Sequence, residues 1–330
     1  MQMIDYLEAD HFSALGGSPV LVVDAGSWTR PAAPAQAIIV GVDRKGDLPP
    51  ANDLEFDVLL TTGRAAPRPW ISIDPAQFDN TVQKLVESVN ASPVAATIAA
   101  QVLRLASALS LPDAITVESF AYSALLGGKE FQQWLSTTDR GIEQAGAGEP
   151  VTVHREEDRI HLTLNDPANR NAMSATMRDA LYEALANILD DPSKPDVTLE
   201  AAGKCFSTGG SLPEFGTARD LAEAHVVRSL HSCATLLDAL GERATVKLHG
   251  ACVGSGIEIA AAAHHRIAGP DAWFQLPELS MGLIPGAGGT ATFTRAIGRH
   301  RTMWMLLSAK RIGAAQALDW GLVDAIRAQM

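Results

Sequence analysis

The sequence is poor in cysteine. Cys205, Cys233 and Cys252 are the only three in 330 residues, an odd number with no C-x-x-C spacing. That disfavours a disulfide framework and a zinc cluster and leaves buried, reduced thiols as the expected state. Long apolar runs are also missing. None reaches the roughly 18 to 20 residues that cross a bilayer, and the acidic opening at residues 1–10 lacks the basic and apolar regions of a signal peptide. The expected location is therefore the cytoplasm, without a membrane partner. Positive charge is scarce, with 26 Lys and Arg against 38 Asp and Glu and a formal charge of -12. A phosphate backbone needs a basic face, so nucleic acid is not an expected partner. A small anionic ligand stays open, because a few local cations and the N–H groups of a helix start can hold one. No H-E-x-x-H, G-x-x-x-x-G-K-[ST] or G-x-S-x-G occurs, nor a G-x-G-x-x-G after a strand. His249 and the pair His264-His265 sit at predicted element ends and read as structural or exposed rather than as metal ligands.

What is present is a globular composition, 47% hydrophobic and 19% charged, enough for one or two sizeable cores. Apolar runs at 19–23, 37–42 and 56–61, separated by Pro, Gly and Asp, predict buried strands of a small α/β segment over residues 1–74. At Asp74-Pro75 an N-cap and a first-turn proline open a helical module over 75–135. Its helices are expected at 75–89, 93–109, 112–125 and 128–135. Residues 136–150 are nearly devoid of apolar side chains and read as a linker. From 151 the pattern is a hairpin, 151–153 and 160–164 about the charged turn 155–159. Alternating units follow: helix 174–189, strand 196–201, helix 218–240, strand 244–249, helix 255–263 and strand 266–268. The chain closes on helices near 289–297, 299–308 and 314–319 and a strand-like 322–326. Leu221, Leu230, Leu236, Leu237 and Leu240 make the 218–240 helix packing and pocket wall.

Two glycine turns carry possible chemistry: Cys205-Phe206-Ser207-Thr208-Gly209-Gly210-Ser211-Leu212, and Gly250-Ala251-Cys252-Val253-Gly254-Ser255-Gly256-Ile257-Glu258 between a strand and a helix. Two backbone N–H groups aimed at one point from such turns would stabilise an oxyanion. The tract 273–290, Trp-Phe-Gln-Leu-Pro-Glu-Leu-Ser-Met-Gly-Leu-Ile-Pro-Gly-Ala-Gly-Gly-Thr, places one carboxylate, Glu278, in apolar surroundings ahead of a glycine-rich loop. Glu258 sits on the first turn of a helix among Ile257, Ile259 and alanines. Burial without a cation raises a carboxyl pKa toward neutrality, where it can exchange protons. Taken singly, either glutamate is equally a helix-dipole partner or an exposed residue.

Together these segments resemble the crotonase (enoyl-CoA hydratase/isomerase) superfamily over about residues 150–327. Residues 206–211, 254–258 and 277–290 match in order its Phe-x-x-Gly-Ala-Asp turn, its Gly-Gly-Gly-x-Glu helix start and its Pro-Glu-x-x-x-Gly-x-x-Pro-Gly-x-Gly-Gly-Thr tract. The twenty-residue separation of Glu258 and Glu278 is also that of the hydratases. The resemblance implies an α/β fold, a crotonase-like spiral of β/β/α units over 151–330, carrying here an N-terminal α/β segment and a helical module. It implies an enoyl-CoA hydratase with no cofactor beyond the coenzyme A of its acyl-CoA substrate, working as a homo-oligomer, a trimer or a dimer of trimers. In that reading the N–H groups of Gly210 and Ser255 form the oxyanion hole and Glu258 activates water for attack on C3. Glu278 gives a proton to C2, and Gly286 helps to seat the water. Ser255 replaces a glycine of the family pattern and Ser211 an aspartate. The loop with Asn169, Arg170 and Ala172 falls where the family holds coenzyme A, with Arg170 as the phosphate or adenine contact. A plain turn before a helix capped by Ser174 explains the same residues without a ligand.

Family members continue with helices beyond the strand matching residues 321–324, and those helices serve trimer contacts and cover the acyl-CoA site. The tract 85–135 resembles them loosely. The expectation is a circularly permuted crotonase fold, the alternative an appended helical domain of independent origin. Three functions compete: hydration by two glutamates, double-bond isomerisation with Glu278 alone, and an acyl-CoA-binding protein with little catalysis.

Overall fold

A computed structural model of the chain describes residues 9–29, 36–142, 144, 146 and 148–328. Most of the acidic opening, and linker positions 143, 145 and 147, lie outside the described residues.

The short apolar runs of the first segment form strands β1 (Val20–Asp24), β2 (Ile38–Asp43), β3 (Val58–Thr61) and β4 (Ile71–Ser72), paired in that order and all parallel. β2 and β3 are buried along their whole length, as near-continuous apolar runs in a parallel sheet require. β4, two residues long, leaves no periodicity to read. Asp74 then accepts the N–H of Ala76, and a short turn at Pro75–Gln77 leads into α1 (Phe78–Ala91). α2 (Pro93–Ala106) carries its proline in the first turn, where a missing N–H costs nothing. α3 (Leu111–Leu126) is capped by Ser110, which accepts the N–H of Asp113, and α4 (Lys129–Thr137) follows.

The hairpin is β5 (Val151–Glu156) with β6 (Arg159–Leu164), so both strands run through the charged stretch expected to be a turn. After α5 (Ala175–Leu189) and β7 (Asp196–Ala201), the helix expected over 218–240 is two helices, α6 (Leu221–Leu230) and α7 (Cys233–Ala239). Ser232 is the reason: its hydroxyl accepts the N–H of Thr235 and starts a new helix. β8 (Ala244–Leu248), β9 (Ala251–Val253), α8 (Ser255–Ala260), β10 (His265–Ala268) and β11 (Trp273–Gln275) come next, then α9 (Gly289–Ile297), α10 (Arg299–Ser308), β12 (Ile312–Gly313), α11 (Ala314–Trp320) and β13 (Ala325–Ile326). A six-stranded sheet has the order β13-β10-β8-β7-β6-β5, and a three-stranded one β12-β11-β9.

One cluster of buried side chains runs through all of these parts. It includes Ile38 and Leu60 of the first sheet, Leu85, Leu103 and Phe131 of the helices, and Leu162, Phe206, Phe274 and Met303 of the second half. An ionic joint reinforces it. Asp57, 1% exposed, accepts the Ile39 N–H and three hydrogen bonds from Nε and Nη2 of Arg104 from α2. Arg299 of α10 donates to the carbonyls of Phe56 and Asp53.

Candidate active site

The turn 205–211 lies along β9: Ser207 N–H donates to Ala251 O at 3.1 Å, and Val253 N–H to Ser207 O at 3.0 Å. Met173 N–H ties its far side at Gly209 O, and the Ser207 hydroxyl donates to Asn171 O. These bonds bring Gly210 beside the start of α8, where a Cβ placed on Gly210 would lie 4.0 Å from Ser255 Oγ. Among the described residues the N–H groups of Gly210 and Ser255 donate to no protein acceptor. Both residues line a cavity of about 1080 Å³.

Glu258 and Glu278 line the same cavity. They are 2% and 7% exposed, and Gly254 stands between them. With φ 49° and ψ −131° it holds a backbone conformation open to glycine alone. A Cβ there would lie 2.8 Å from Glu278 Oε1 and 3.9 Å from Glu258 Oε1, so the two carboxylates face one point. Glu258 Oε2 accepts the N–H groups of Ala287 at 2.7 Å and Gly289 at 3.1 Å. Burial lifts its pKa to about 7 against the pull of these amides. Among the described residues Glu278 Oε2 has no hydrogen-bond partner. Burial, and then the charge of Glu258, raises its pKa well above the carboxylate range. Gly286, from the same loop, also lines the cavity.

The sequence reading missed a wall. Ile115, Ser119, Tyr122 and Leu126, at helical spacing on α3, line the cavity from the N-terminal half. The Tyr122 ring lies so close to Gly286 that a Cβ there would be 2.7 Å from it. Burial drives the Tyr122 hydroxyl pKa up, and the Arg228 guanidinium sits 4.9 Å over the ring. Behind this wall, Glu118 accepts from Gly288 N–H at 2.6 Å and from both the N–H and the hydroxyl of Thr290 at 2.7 Å. Burial first, and the Glu258 charge second, raise its pKa to about 8. The available signal was a lone acid on the buried stripe of Leu111, Ala114, Ile115 and Leu125.

Asn169, Arg170 and Ala172 are not among the residues lining the cavity, although their neighbours Met173 and Ser174 are. The Asn169 amide is bound to Asp166 and to the backbone of Gln144. Arg170, exposed, has a left-handed backbone and lends its carbonyl to Thr208 N–H. Ser174 caps α5 by accepting the Met177 N–H. His249 is buried against the Gly203 carbonyl, and the three cysteines are buried and free.

A model of the enoyl-CoA hydratase/isomerase family matches residues 155–330. A Bacillus subtilis (strain 168) protein named a probable enoyl-CoA hydratase is 30% identical over 49% of this chain and 63% of its own length. A Mycosarcoma maydis enoyl-CoA isomerase/hydratase is 31% identical over 50% of this chain and 63% of its own. The chain thus spans less than two thirds of either relative. Among solved structures, an enoyl-CoA hydratase from Thermoplasma volcanium GSS1 superposes with TM-score 0.51 at 27% identity, over 55% of this chain and 73% of that one. An enoyl-CoA hydratase/isomerase from Marinobacter aquaeolei gives 0.50 at 25%, over 55% and 72%. With the family match covering more than half of its residues, and with the fold shared with these structures, the chain belongs to the enoyl-CoA hydratase/isomerase family, the crotonase superfamily.

Proposed function

We propose that this protein is a lyase that adds water across the 2,3 double bond of a trans-2-enoyl-CoA thioester. The observation that carries the reading is the pair of buried carboxylates facing each other across Gly254, beside two backbone N–H groups without protein acceptors. Their surroundings push them apart chemically. Glu258, held by two amides, is the group suited to be an anion near neutral pH. Glu278, without a partner at Oε2 among the described residues and repelled by Glu258, is the group suited to hold a proton. In the reaction the water oxygen bonds to C3 while Glu258 takes the water proton. The electrons of the double bond move into the thioester as an enolate, whose oxygen the Gly210 and Ser255 N–H groups receive. Glu278 then protonates C2, and the carbonyl is restored. Gly286 seats the water, and Arg170 is assigned to a phosphate or to the adenine of coenzyme A. Residues 75–135 take the part that terminal helices have elsewhere in the family, which the α3 wall of the cavity supports. We carry over the homo-oligomer and the cytoplasmic location as parts of the same reading.

One observation favours a second reading. Glu278 Oε2 is buried without a hydrogen-bond donor among the described residues, and a single carboxyl group that moves a proton between carbons suffices for double-bond isomerisation. An absorbance assay at the conjugated thioester separates the two readings, because hydration abolishes the conjugation. The expected result is loss of absorbance with a trans-2-enoyl-CoA, and a Glu258→Gln variant in which hydration falls roughly 100- to 10,000-fold. Isomerase activity that survives Glu258→Gln, with no hydration in the unaltered protein, would replace the first reading by the second.

A further inference from the structure

Hydration by Glu258 and Glu278 leaves a third buried carboxylate, Glu118, unused. It is 1% exposed and lies outside the cavity lining, so it does not reach a substrate. Its hydrogen bonds interleave with those of Glu258. Ala287 and Gly289 donate to Glu258 Oε2, whereas Gly288 and Thr290 donate to Glu118. Four successive amides thus alternate between two carboxylates. Gly288 makes this possible with φ 109°, and the Thr290 hydroxyl adds a further bond to Glu118 at 2.7 Å. If Glu118 stopped accepting, Gly288 N–H and Thr290 N–H would be buried without partners, a cost that a turn of the loop would relieve. The same turn would swing the Ala287 and Gly289 amides away from Glu258.

We propose that Glu118 is a positioning residue for the reaction: it holds the 286–290 loop by the amides that Glu258 does not take and so aims the Glu258 carboxylate into the cavity. The inference rests on the assignment of Glu258 as the base that activates water. It makes α3, from the N-terminal half, part of the machinery and more than a cover. The groups that face Glu118 electrostatically are Glu258 of α8, Glu278 at the turn after β11, Tyr122 of α3 and Arg228 of α6. Glu118, raised to about 8, is neutral where Glu258, raised to about 7, ionises, so position 118 acts on Glu258 through the shared loop amides.

The test compares Glu118→Gln and Thr290→Val with the unaltered full chain, by steady-state kinetics across pH and by hydrogen–deuterium exchange of the 286–290 segment. Glu118→Gln is expected to lower kcat at least tenfold with KM changed less than threefold. The acidic limb of its kcat–pH profile is expected at higher pH, because amides that have turned away no longer lower the Glu258 pKa, a displacement that a residue with no hold on those amides would not produce. Exchange of the segment is expected to quicken at least tenfold, while circular dichroism is unchanged. Thr290→Val, which removes only the hydroxyl, shifts exchange and kcat in the same direction by a smaller factor, and it decides the matter if Glu118→Gln does not fold. A Glu118→Gln protein with unaltered kcat, pH profile and exchange overturns the proposal. Exchange needs no turnover, so an unaltered protein inert toward enoyl-CoA would refute the hydratase reading while the exchange comparison still decides on the loop.

Discussion

At the scale of single residues, the site turns on what each carboxylate is denied. Among the described residues Glu278 lacks a hydrogen-bond donor at Oε2, so substituting glutamine keeps its volume and removes only the proton. Glu278→Gln is expected to lose roughly 100- to 10,000-fold in kcat while isothermal titration shows acyl-CoA binding nearly unchanged. A kcat within a factor of two of the parent would remove Glu278 from the mechanism. Ser255 is the complementary case, because it lines the cavity and among the described residues neither its buried hydroxyl nor its N–H has a hydrogen-bond partner. Ser255→Ala and Ser255→Gly should keep most activity. Ser255→Pro deletes the donor and should cost on the order of 3 kcal/mol, or about a hundredfold, with a thermal melt run beside it to show that the turn still folds. A large loss in Ser255→Ala would mean that the hydroxyl itself takes part.

At the scale of elements, what was legible was local. The strands β7 and β8 and the helices α5, α9 and α10 follow from periodicity and caps, and the glycine turns with Glu258 and Glu278 from contiguous motifs. The break between α6 and α7 was hidden because the leucine spacing runs on across Ser232, and the local hydrogen bond to Thr235 overrides it. β9, β11 and β12 have two or three residues each, too few for alternation to register. Tyr122 and Glu118 escaped notice because their partners lie far off in sequence, 170 and 172 residues for Gly288 and Thr290. α3 and the 286–290 loop form a fitted pair as a result. Gly286→Ala would drive a methyl group into the Tyr122 ring, and the expected loss of activity should be partly relieved by Tyr122→Ala in the double variant. Additive losses would show that the contact is unimportant.

At the scale of the molecule, the buried acids oppose folding when charged. The folded-state pKa of Glu118 is raised from 4.5 to about 8. Its contribution to stability is therefore complete below about pH 4.5 and is lost as pH rises through 8, at up to roughly 1.4 kcal/mol per unit. Melting temperatures of Glu118→Gln relative to the unaltered protein should rise between pH 5 and 8 and level off above that, and a constant difference would contradict this. At the Asp57 joint the carboxylate sits between two guanidinium groups. Asp57→Ala would leave Arg299 nearly buried without its counter-charge, while Arg104, 41% exposed, can turn to water. The expected cost is about 3 kcal/mol by urea denaturation.

The interleaved amides of the 286–290 loop have a kinetic side too. Glu118 can take them up only after a segment of more than 160 residues has been closed on itself, and closing so long a loop yields no return until the far contact forms. Helices and hairpins can assemble early from neighbours in sequence, whereas the pocket waits for a long-range contact. During refolding, catalytic competence is accordingly expected to return after the circular dichroism of the helices.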